Sequence, residues 1–253
     1  MIRGCKMAKQ SGLGDNFYIA GYDLSGDIAS LSDIAGGPAI LPNTGIDKSA
    51  MERMGGLRDG RMSFTSYFNP SANQEHSQFK ALPVADVIMS YFRGTVLGTE
   101  AACLNAKQIN YDGKRGDDGS FVFDVDGQGN AYGLEWGKQL TAGKRTDGAA
   151  TNGTGVDFGA ATAFGLQAYL QVFAFTGTSV TVKLQESSDD GVGDPYADVV
   201  GGAFTAATGI TSQRIETTRS LTVKRYLRVV TTGVFSNAVF AVMVAKNDVA
   251  VVF

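Results

Sequence analysis

The clearest pattern in this chain is a run of apolar stretches separated by tight turns, which fills the C-terminal part from about residue 165. Strands are predicted at residues 166–175, 179–186, 220–231 and 237–246. Turns rich in Gly, Ser and Asp separate the early strands, at 176–178 and 187–191. Evenly spaced strands with such turns are typical of a β-sandwich or barrel. The C-terminal part is therefore predicted to be all-β.

The N-terminal part mixes strands with one predicted helix. A short strand at 16–21 is followed by an irregular stretch to about residue 45. Residues 60–68 then alternate, with Met62, Phe64 and Phe68 on one face. Asn69 and Pro70 suit the cap and first turn of a helix that runs to about residue 82. Further strands are predicted at 85–91, 101–111, 120–125 and 130–140, with a hairpin turn at 117–119.

A segment of small, polar and Gly-rich residues, 146–155, separates the two parts. Such a segment cannot bury a core and is typical of a linker. The sequence therefore predicts an N-terminal β domain over 1–145, a Gly-rich linker over 146–155, and an outer β-sandwich domain over 156–253.

Reactive side chains are scarce in this chain of 253 residues. It contains one histidine, His76, and two cysteines, Cys5 and Cys103, which fit synthesis in a reducing cytosol. The net charge of −3 does not suggest a surface that coats nucleic acid. The N-terminus lacks the apolar core of a signal peptide, and no membrane span is predicted. These features favour a protein that builds or binds something over an enzyme.

The motifs that resemble catalytic or metal sites are each incomplete. His76 lies on the polar side of the predicted helix, and the chain has no Gly-x-Ser-x-Gly elbow, so a solvated surface histidine is expected. Asp124 and Asp126 begin like a calcium loop, but Gln128 stands where an EF-hand needs Asp or Asn. Their spacing instead predicts an acidic stripe on one face of a strand. No catalytic residue, metal ligand or cofactor is predicted.

The segment from residue 10 to 46 is acidic and contains no Lys or Arg. One interpretation is a solvated loop. The other is a negative surface that repels DNA or meets a basic neighbour. The acids of this segment and its border are Asp15, Asp23, Asp27, Asp33 and Asp47.

The element order of the N-terminal part resembles a known family. An N-terminal arm and a Gly/Asp-rich loop precede the strand GRMSFTSYFN (60–69), a helix follows, and strands containing GSFVFDV (119–125) and YGLEW (132–136) come next. This order is similar to that of the tail-tube (major tail) proteins of long-tailed bacteriophages, over roughly residues 8–145. The stretches AYLQVFAFTGT (168–178) and RYLRV (225–229) resemble those of phage tail proteins that carry an added outer domain.

The resemblance implies a structural virion protein that forms stacked, hexameric rings. The rings would build the tail tube through which genomic DNA passes without specific binding. The implied fold is a tail-tube-type β-sandwich/barrel with one short helix, followed by a second sandwich of immunoglobulin-like or jelly-roll type. The implied partners are further copies of the chain, other tail proteins such as the tape measure and the terminator, and a cell-surface glycan for the C-terminal domain. The implied location is the virion tail, after synthesis in the host bacterial cytoplasm.

The resemblance also assigns roles to particular acids. Asp124, Asp126 and Glu135 are the candidate lumen-facing residues, since acids in the lumen would let DNA slide without sticking. The N-terminal arm and a long loop at about 22–58 would become ordered on ring stacking. That candidate inter-ring loop contains Asp23, Asp27, Asp33 and Asp47.

Three alternative functions stay open at the level of sequence. A head–tail connector or a capsid decoration protein would share nearly all of these features. A carbohydrate-binding or receptor-binding module would need an aromatic platform or a calcium cluster on one face. A polysaccharide hydrolase would need two carboxylates opposed across a cleft.

Overall fold

The computed structural model describes residues 11–249, which form antiparallel β-strands and one short helix. The predicted fold class, mainly β with one short helix, is confirmed. Within residues 11–249, no helix is long and apolar enough to cross a membrane. Most of the predicted N-terminal arm, together with Cys5, lies outside the described residues.

Among the described residues of the N-terminal part, four strands precede the helix along the chain and five follow it. They are β1 (Asn16–Ile19), β2 (Tyr22–Asp23), β3 (Ile28–Pro42), β4 (Arg53–Tyr67), then helix α1 (Glu75–Phe79), β5 (Val87–Phe92), β6 (Glu100–Gln108), β7 (Asp112–Arg115), β8 (Phe121–Gly129) and β9 (Glu135–Gln139). The C-terminal part contains β10 (Arg145–Asp147), β11 (Val156–Asp157), β12 (Leu166–Ser187), β13 (Ala197–Ala203), β14 (Thr211–Glu216) and β15 (Tyr226–Lys246). Hydrogen bonds connect the strands in the order β13-β12-β15-β9-β6-β5-β1-β2, with the other strands branching from this path.

The C-terminal part is built on one long strand pair. β12 and β15 pair from Leu166 opposite Lys246 to Ser187 opposite Tyr226. The turn predicted at 176–178, and the gap predicted between strands at 231 and 237, are therefore wrong. The chain passes through both regions in β-bulges, and Gly177 takes a φ of +151° there. Side chains from both ends of β12 lie in one buried cluster, so the long pair folds over and covers itself.

The two parts share a buried cluster. Tyr18 and Cys103 from the N-terminal part pack in it with Tyr169 and Met243 from the C-terminal part. The Gln171 side chain adds polar contacts, because its amide donates to the Ile88 carbonyl at 3.0 Å. β9 also pairs with both β6 and β15. The division into two domains stays a prediction, and the predicted linker begins inside β10.

Two predictions about local structure in the N-terminal part are wrong. The stretch expected to be irregular up to residue 45 contains β3, which forms a long hairpin with β4. The helix predicted over 70–82 covers only Glu75–Phe79. Asn69 does not cap it, because the N-cap residue is Gln74 and the Asn69 side-chain oxygen accepts instead from the Ser71 nitrogen at 3.2 Å. Asn73, at a φ of +64°, also prevents an earlier start.

The hairpin of β3 and β4 leaves the body at a point where backbones approach closely. Gly36 is paired with Gly60 there. A Cβ on Gly60 would lie 2.6 Å from the Leu134 nitrogen and 2.7 Å from Leu104 Cδ1. A Cβ on Gly36 would lie 2.6 Å from Leu134 Cβ. Glycine at these positions therefore lets the loop before β9 pack directly on the root of the hairpin.

We expect Gly60→Ala to destabilise the protein by about 1–3 kcal/mol, because the added methyl group overpacks the contact with Leu134. Urea unfolding measures this loss. Gly26→Ala is the matched control, since nothing lies within 4 Å of its added Cβ and its stability should change by less than about 0.5 kcal/mol. Equal stability of the two variants would contradict the close packing at the root.

Candidate assembly surface

The outer half of the β3–β4 hairpin extends beyond the rest of the sheet. Residues 53–60 of β4 pair with β3, whereas the pairing of β4 with β8 covers residues 61–67. We call residues 37–59 the arm; it is a different segment from the predicted N-terminal arm at the start of the chain. Its apolar side chains are exposed, with Ile46 fully exposed and Leu57 82% exposed. The full set is Ile40, Leu41, Ile46, Met51, Met54 and Leu57. Leu41, Ile46, Met51 and Met54, which lie beyond the paired Ile40 and Gly55, are called the arm tip.

This arm needs a partner for physical reasons. A two-stranded ribbon by itself is only marginally stable in water. Contiguous exposed apolar side chains raise the free energy of the isolated chain and mark interaction sites. The arm therefore has the properties of an element that becomes buried in an assembly.

The body end of the hairpin belongs to a part of the sheet with the order β3-β4-β8-β7, which we call the edge sheet, and β6 pairs with the end of β8 beyond β7. Every pair in it is antiparallel. Among the described strands, β3 pairs with β4 alone and β7 with β8 alone. The edge sheet therefore has two open edges on opposite sides, each with unpaired backbone donors and acceptors.

One face of the edge sheet is polar and acidic. Ser63 lies opposite Asp126 and Thr65 opposite Asp124, and each hydroxyl donates to the facing carboxylate, at 2.8 Å for Thr65. Lys114 forms an ion pair with Asp124. The hydrogen bond from Lys114, together with that from Thr65, lowers the pKa of Asp124.

The predicted acidic stripe is thus present as a cross-strand network. The opposite face of the same strands is buried, with Phe64 and Val125 in the core. Asp124 and Asp126 share the solvent face, as their spacing predicted. Their position in a lumen stays a prediction, because a lumen exists only in an assembly.

Glu135 lies in a different environment from the other two candidate acids. Its side chain is 10% exposed, and it accepts a hydrogen bond from Arg214 at 3.0 Å. Tyr169 also donates to it. The Arg214 guanidinium stacks 3.6 Å from the centre of the Tyr132 ring. Glu135 therefore ties β9 to β14 within one chain.

Two of the four acids of the candidate inter-ring loop lie on the hairpin. Asp33 forms an ion pair with Arg61 across the two strands. Asp47 lies in the connection between β3 and β4, with Lys48 Nζ 3.5 Å from its carboxylate. Both acids are exposed, so they are available to a neighbouring copy.

The other two acids of that set lie on the body. Asp23 pairs with Lys144 at 2.5 Å, and this contact joins β2 to the connection between β9 and β10. Asp27 is buried and accepts a hydrogen bond from the Glu75 backbone nitrogen at 3.2 Å. These two acids have structural partners within the chain.

A buried polar cluster at the base of the hairpin was missed by the sequence analysis. The Glu75 carboxylate is fully buried and accepts from Ser66 at 2.8 Å and Tyr111 at 3.1 Å. Burial raises the pKa of Glu75 above its usual range. His76 is half-buried, with Nδ1 2.8 Å from the Tyr111 hydroxyl, so the predicted solvated histidine is wrong.

The cluster joins elements that are distant in sequence. Ser66 lies on β4, Glu75 on α1, and Tyr111 directly before β7. The cluster therefore joins β4 and the start of β7 to the helix on the buried side of the edge sheet. The sequence around Glu75 and His76 did not indicate a buried cluster, because the residues that contact this pair, at positions 27, 66 and 111, are distant along the chain.

No protein-family model matches the sequence, and no curated protein matches it. Among solved structures, the chain is similar to the crystal structure of the SPP1 Dit (gp 19.1) protein, described as a paradigm of the hub adsorption apparatus in phages that infect Gram-positive bacteria. The identity is 12%, the TM-score 0.32, and the match covers 92% of this chain and 99% of that one.

Two structures of the phage p2 baseplate in its activated conformation, with Sr and with Ca, are similar at the same coverage. Their identities are 10% and 11%, and both TM-scores are 0.36. These neighbours are phage hub and baseplate proteins rather than tail-tube proteins. At such identities and TM-scores the likeness assigns neither a family nor a function to this chain.

We expect Glu75→Gln to raise stability at pH 7. Burial raises the folded-state pKa of Glu75, so the wild type is destabilised as the pH rises from the ordinary carboxyl range through that pKa. Gln keeps one acceptor oxygen for Ser66 and replaces the other by an NH2 group that donates to the Tyr111 hydroxyl, without the charge. The gap between variant and wild type should therefore be present at pH 7 and close near pH 4, as measured by urea unfolding.

Two further variants serve as controls for Glu75→Gln. Glu75→Ala should lose about 1–3 kcal/mol at both pH values, because it leaves the Ser66 and Tyr111 hydroxyls without their acceptor. Glu100→Gln, on an exposed residue of β6, should change nothing. A Glu75→Gln protein less stable than the wild type at pH 7 would show that the buried charge is not destabilising.

Proposed function

We propose that this chain is a structural protein of a phage tail, which assembles into rings of identical copies. The assignment to a phage tail rests on the resemblance in element order described above. The ring itself is supported by one observation on the molecule, the pair of open edges on the edge sheet. No catalytic role is part of the proposal.

The strand directions of the edge sheet suit continuation from one copy to the next. Its four strands alternate in direction from β3 to β7. The β7 of one copy and the β3 of the next would therefore be antiparallel when placed side by side. Such head-to-tail pairing is heterologous and closes into a ring when the rotation between copies permits. Closure would pair both open edges of the edge sheet and remove the risk of uncontrolled strand addition there.

The hairpin restricts where this pairing occurs. Pro38 and Pro42 lack backbone N–H groups, so they block strand addition along the arm part of β3. The remaining stretch of β3, from Ile28 to Gly37, lies beside the body. The seam between copies is therefore placed at the body end of β3, and the arm stays available for another contact.

The polar face of the edge sheet would line the lumen of such a ring. Along the strands described, this face carries two bases, Lys114 and Arg61, and four acids. The acids are Asp33, Asp112, Asp124 and Asp126. A negative lining repels the phosphates of DNA, and short-range attraction from the bases is reduced by their ion pairs. DNA would then pass without specific binding.

The arm favours stacked rings over a single ring. A lone ring, whether a connector or a hub, would pair the edges of β3 and β7 but would leave the arm tip in water. A second ring supplies a surface that buries the tip, so the proposal is a tube. The similar structures are named as hub and baseplate proteins, and the presence or absence of stacking separates the two functions.

The outward position of the C-terminal part, and a cell-surface glycan as its ligand, remain part of this proposal. A chain truncated after Gly148 would not test whether the C-terminal part lies outside the ring. The deletion would remove β12 and β15, and with them the cover over Tyr18 and Cys103 in the shared core. A loss of assembly would then report failed folding rather than a role in the ring.

Crosslinking of mixed unlabelled and ¹⁵N-labelled protein tests the seam. With a crosslinker shorter than roughly 14 Å, the separation of these edges within one copy, we expect about half of the crosslinked β3–β7 peptide pairs from an equal mixture to contain one unlabelled and one labelled member. Crosslinks between β12 and β15 serve as the control and should join peptides of the same isotope. Mixed-isotope pairs that never include β3 or β7 would rule out this seam.

The double variant Asp124→Lys, Asp126→Lys tests the lumen. We expect assembled wild-type protein to release double-stranded DNA at low salt and the variant to retain it, with an affinity that falls steeply as salt rises. Asp198→Lys, on β13 of the C-terminal part, is the matched charge reversal and should behave as the wild type. Equal retention by both variants would show that the polar face does not contact DNA.

A further inference from the structure

A groove of about 470 Å³ lies at the root of the arm. Its apolar lining comes from Leu134, Trp136, Ala245 and Val249. Trp136 is the single tryptophan of the chain, and it is 50% exposed. A large aromatic side chain that lines a groove and remains half in water is typical of a binding surface.

The rim of the groove contains charges of both signs. Glu135 and Lys246 also line the groove, but they have partners within the chain, in Arg214 and in the Ala160 carbonyl. Arg58 and Asp248 line it as well, and neither forms an ion pair with another residue in the range 11–249. An occupant that is apolar in the middle, with an acid on one side and a base on the other, would satisfy this surface.

The arm tip has the matching chemistry. Its apolar side chains are flanked by Glu52 and Arg53, which lie at the start of β4. Arg53 forms no ion pair with a described residue, and Glu52 has only a long contact of 3.9 Å with Lys48. Glu52 is the complement of Arg58 on the rim, and Arg53 is the complement of Asp248.

The tip cannot reach the groove of its own chain. Arg58 lies opposite Pro38, close to the paired glycines where the arm begins. Seven residues separate Gly36 from Asn43, which at about 3.3 Å per residue is about 23 Å of extended strand. The tip is therefore held at the far end of the arm from the groove at its root.

We propose that the arm tip of one copy docks in the root groove of a second copy. This inference rests on the proposed ring-building function, and it names the surface through which one ring meets the next. Tip and groove are different surfaces, so the contact is heterologous, and it continues from copy to copy where the rotation between copies does not close it into a ring. Repetition carries copies along the arm direction, by at least about the arm length of 23 Å per step, and a stack without a fixed end results.

The intrinsic fluorescence of the full-length chain tests this docking directly. Because Trp136 is the only tryptophan, the emission reports on the groove alone. We expect the emission maximum to move to shorter wavelength, and quenching by iodide to fall, as the protein concentration rises. Electron microscopy of the same samples records whether rings and stacks are present.

Single variants test whether the arm tip is the surface that docks in the groove. Ile46→Asp should weaken the concentration-dependent shift at least about tenfold, because it removes a fully exposed apolar side chain from the contact. Its spectrum at low concentration should equal that of the wild type, which shows that the fold is intact. Val234→Asp is the matched control, since Val234 is 72% exposed on β15, outside arm and groove.

A mixing experiment tests that the contact joins two copies. Ile46→Asp protein keeps Trp136 but lacks a working tip, and Trp136→Asp protein keeps the tip but has no tryptophan. Mixed together, they should restore the blue shift and form complexes that cannot extend into stacks. Neither protein alone should give the shift.

The outcomes separate this inference from the proposed function. Stacked rings without a change in Trp136 emission, or a full shift in the Ile46→Asp protein, overturn the docking and leave the ring standing. Absence of rings at every concentration overturns the proposed function. A shift produced only by added anionic phospholipid vesicles, and never by a second copy, overturns the assignment of the occupant.

Discussion

Backbone groups at strand edges are the constraint on which this structure depends. An unpaired edge strand offers donors and acceptors to any other strand, and proteins that remain monomeric block such edges with charges, prolines or bulges. In this chain the protection is selective. Prolines stand only in the arm part of β3, at Pro38 and Pro42, whereas the body part of β3 has bulges and β7 is short and charged, and neither contains a proline that would block pairing. The same selective protection defines the seam of the proposed ring and frees the arm for a second contact.

Burial on the inner side of the edge sheet makes these open edges rigid enough to be used. Phe64 and Val125 anchor β4 and β8 in the core. The Glu75 cluster adds hydrogen bonds behind β4 and before β7. The glycines at the root let Leu134 pack against the backbone of the arm. A preformed edge reduces the conformational entropy lost on association, which favours assembly.

The sequence predicted what local patterns determine. Alternation placed Phe64 in the core, a spacing of two placed Asp124 and Asp126 on one face, and the turn at 117–119 connects β7 and β8. It failed where long-range pairing decides. Gly177 resembles a turn residue, yet pairing with β15 keeps it in a strand. Glu135 resembles a surface acid, yet Arg214, distant in sequence, draws it into a buried ion pair.

Electron microscopy of the purified full-length chain at rising concentration tests most directly whether the open edges and the arm belong to one assembling particle. Rings are expected to appear first and then to stack into hollow tubes of indefinite length. Monomers that persist at every concentration, or dimers that join two copies by the same surface, would contradict this expectation.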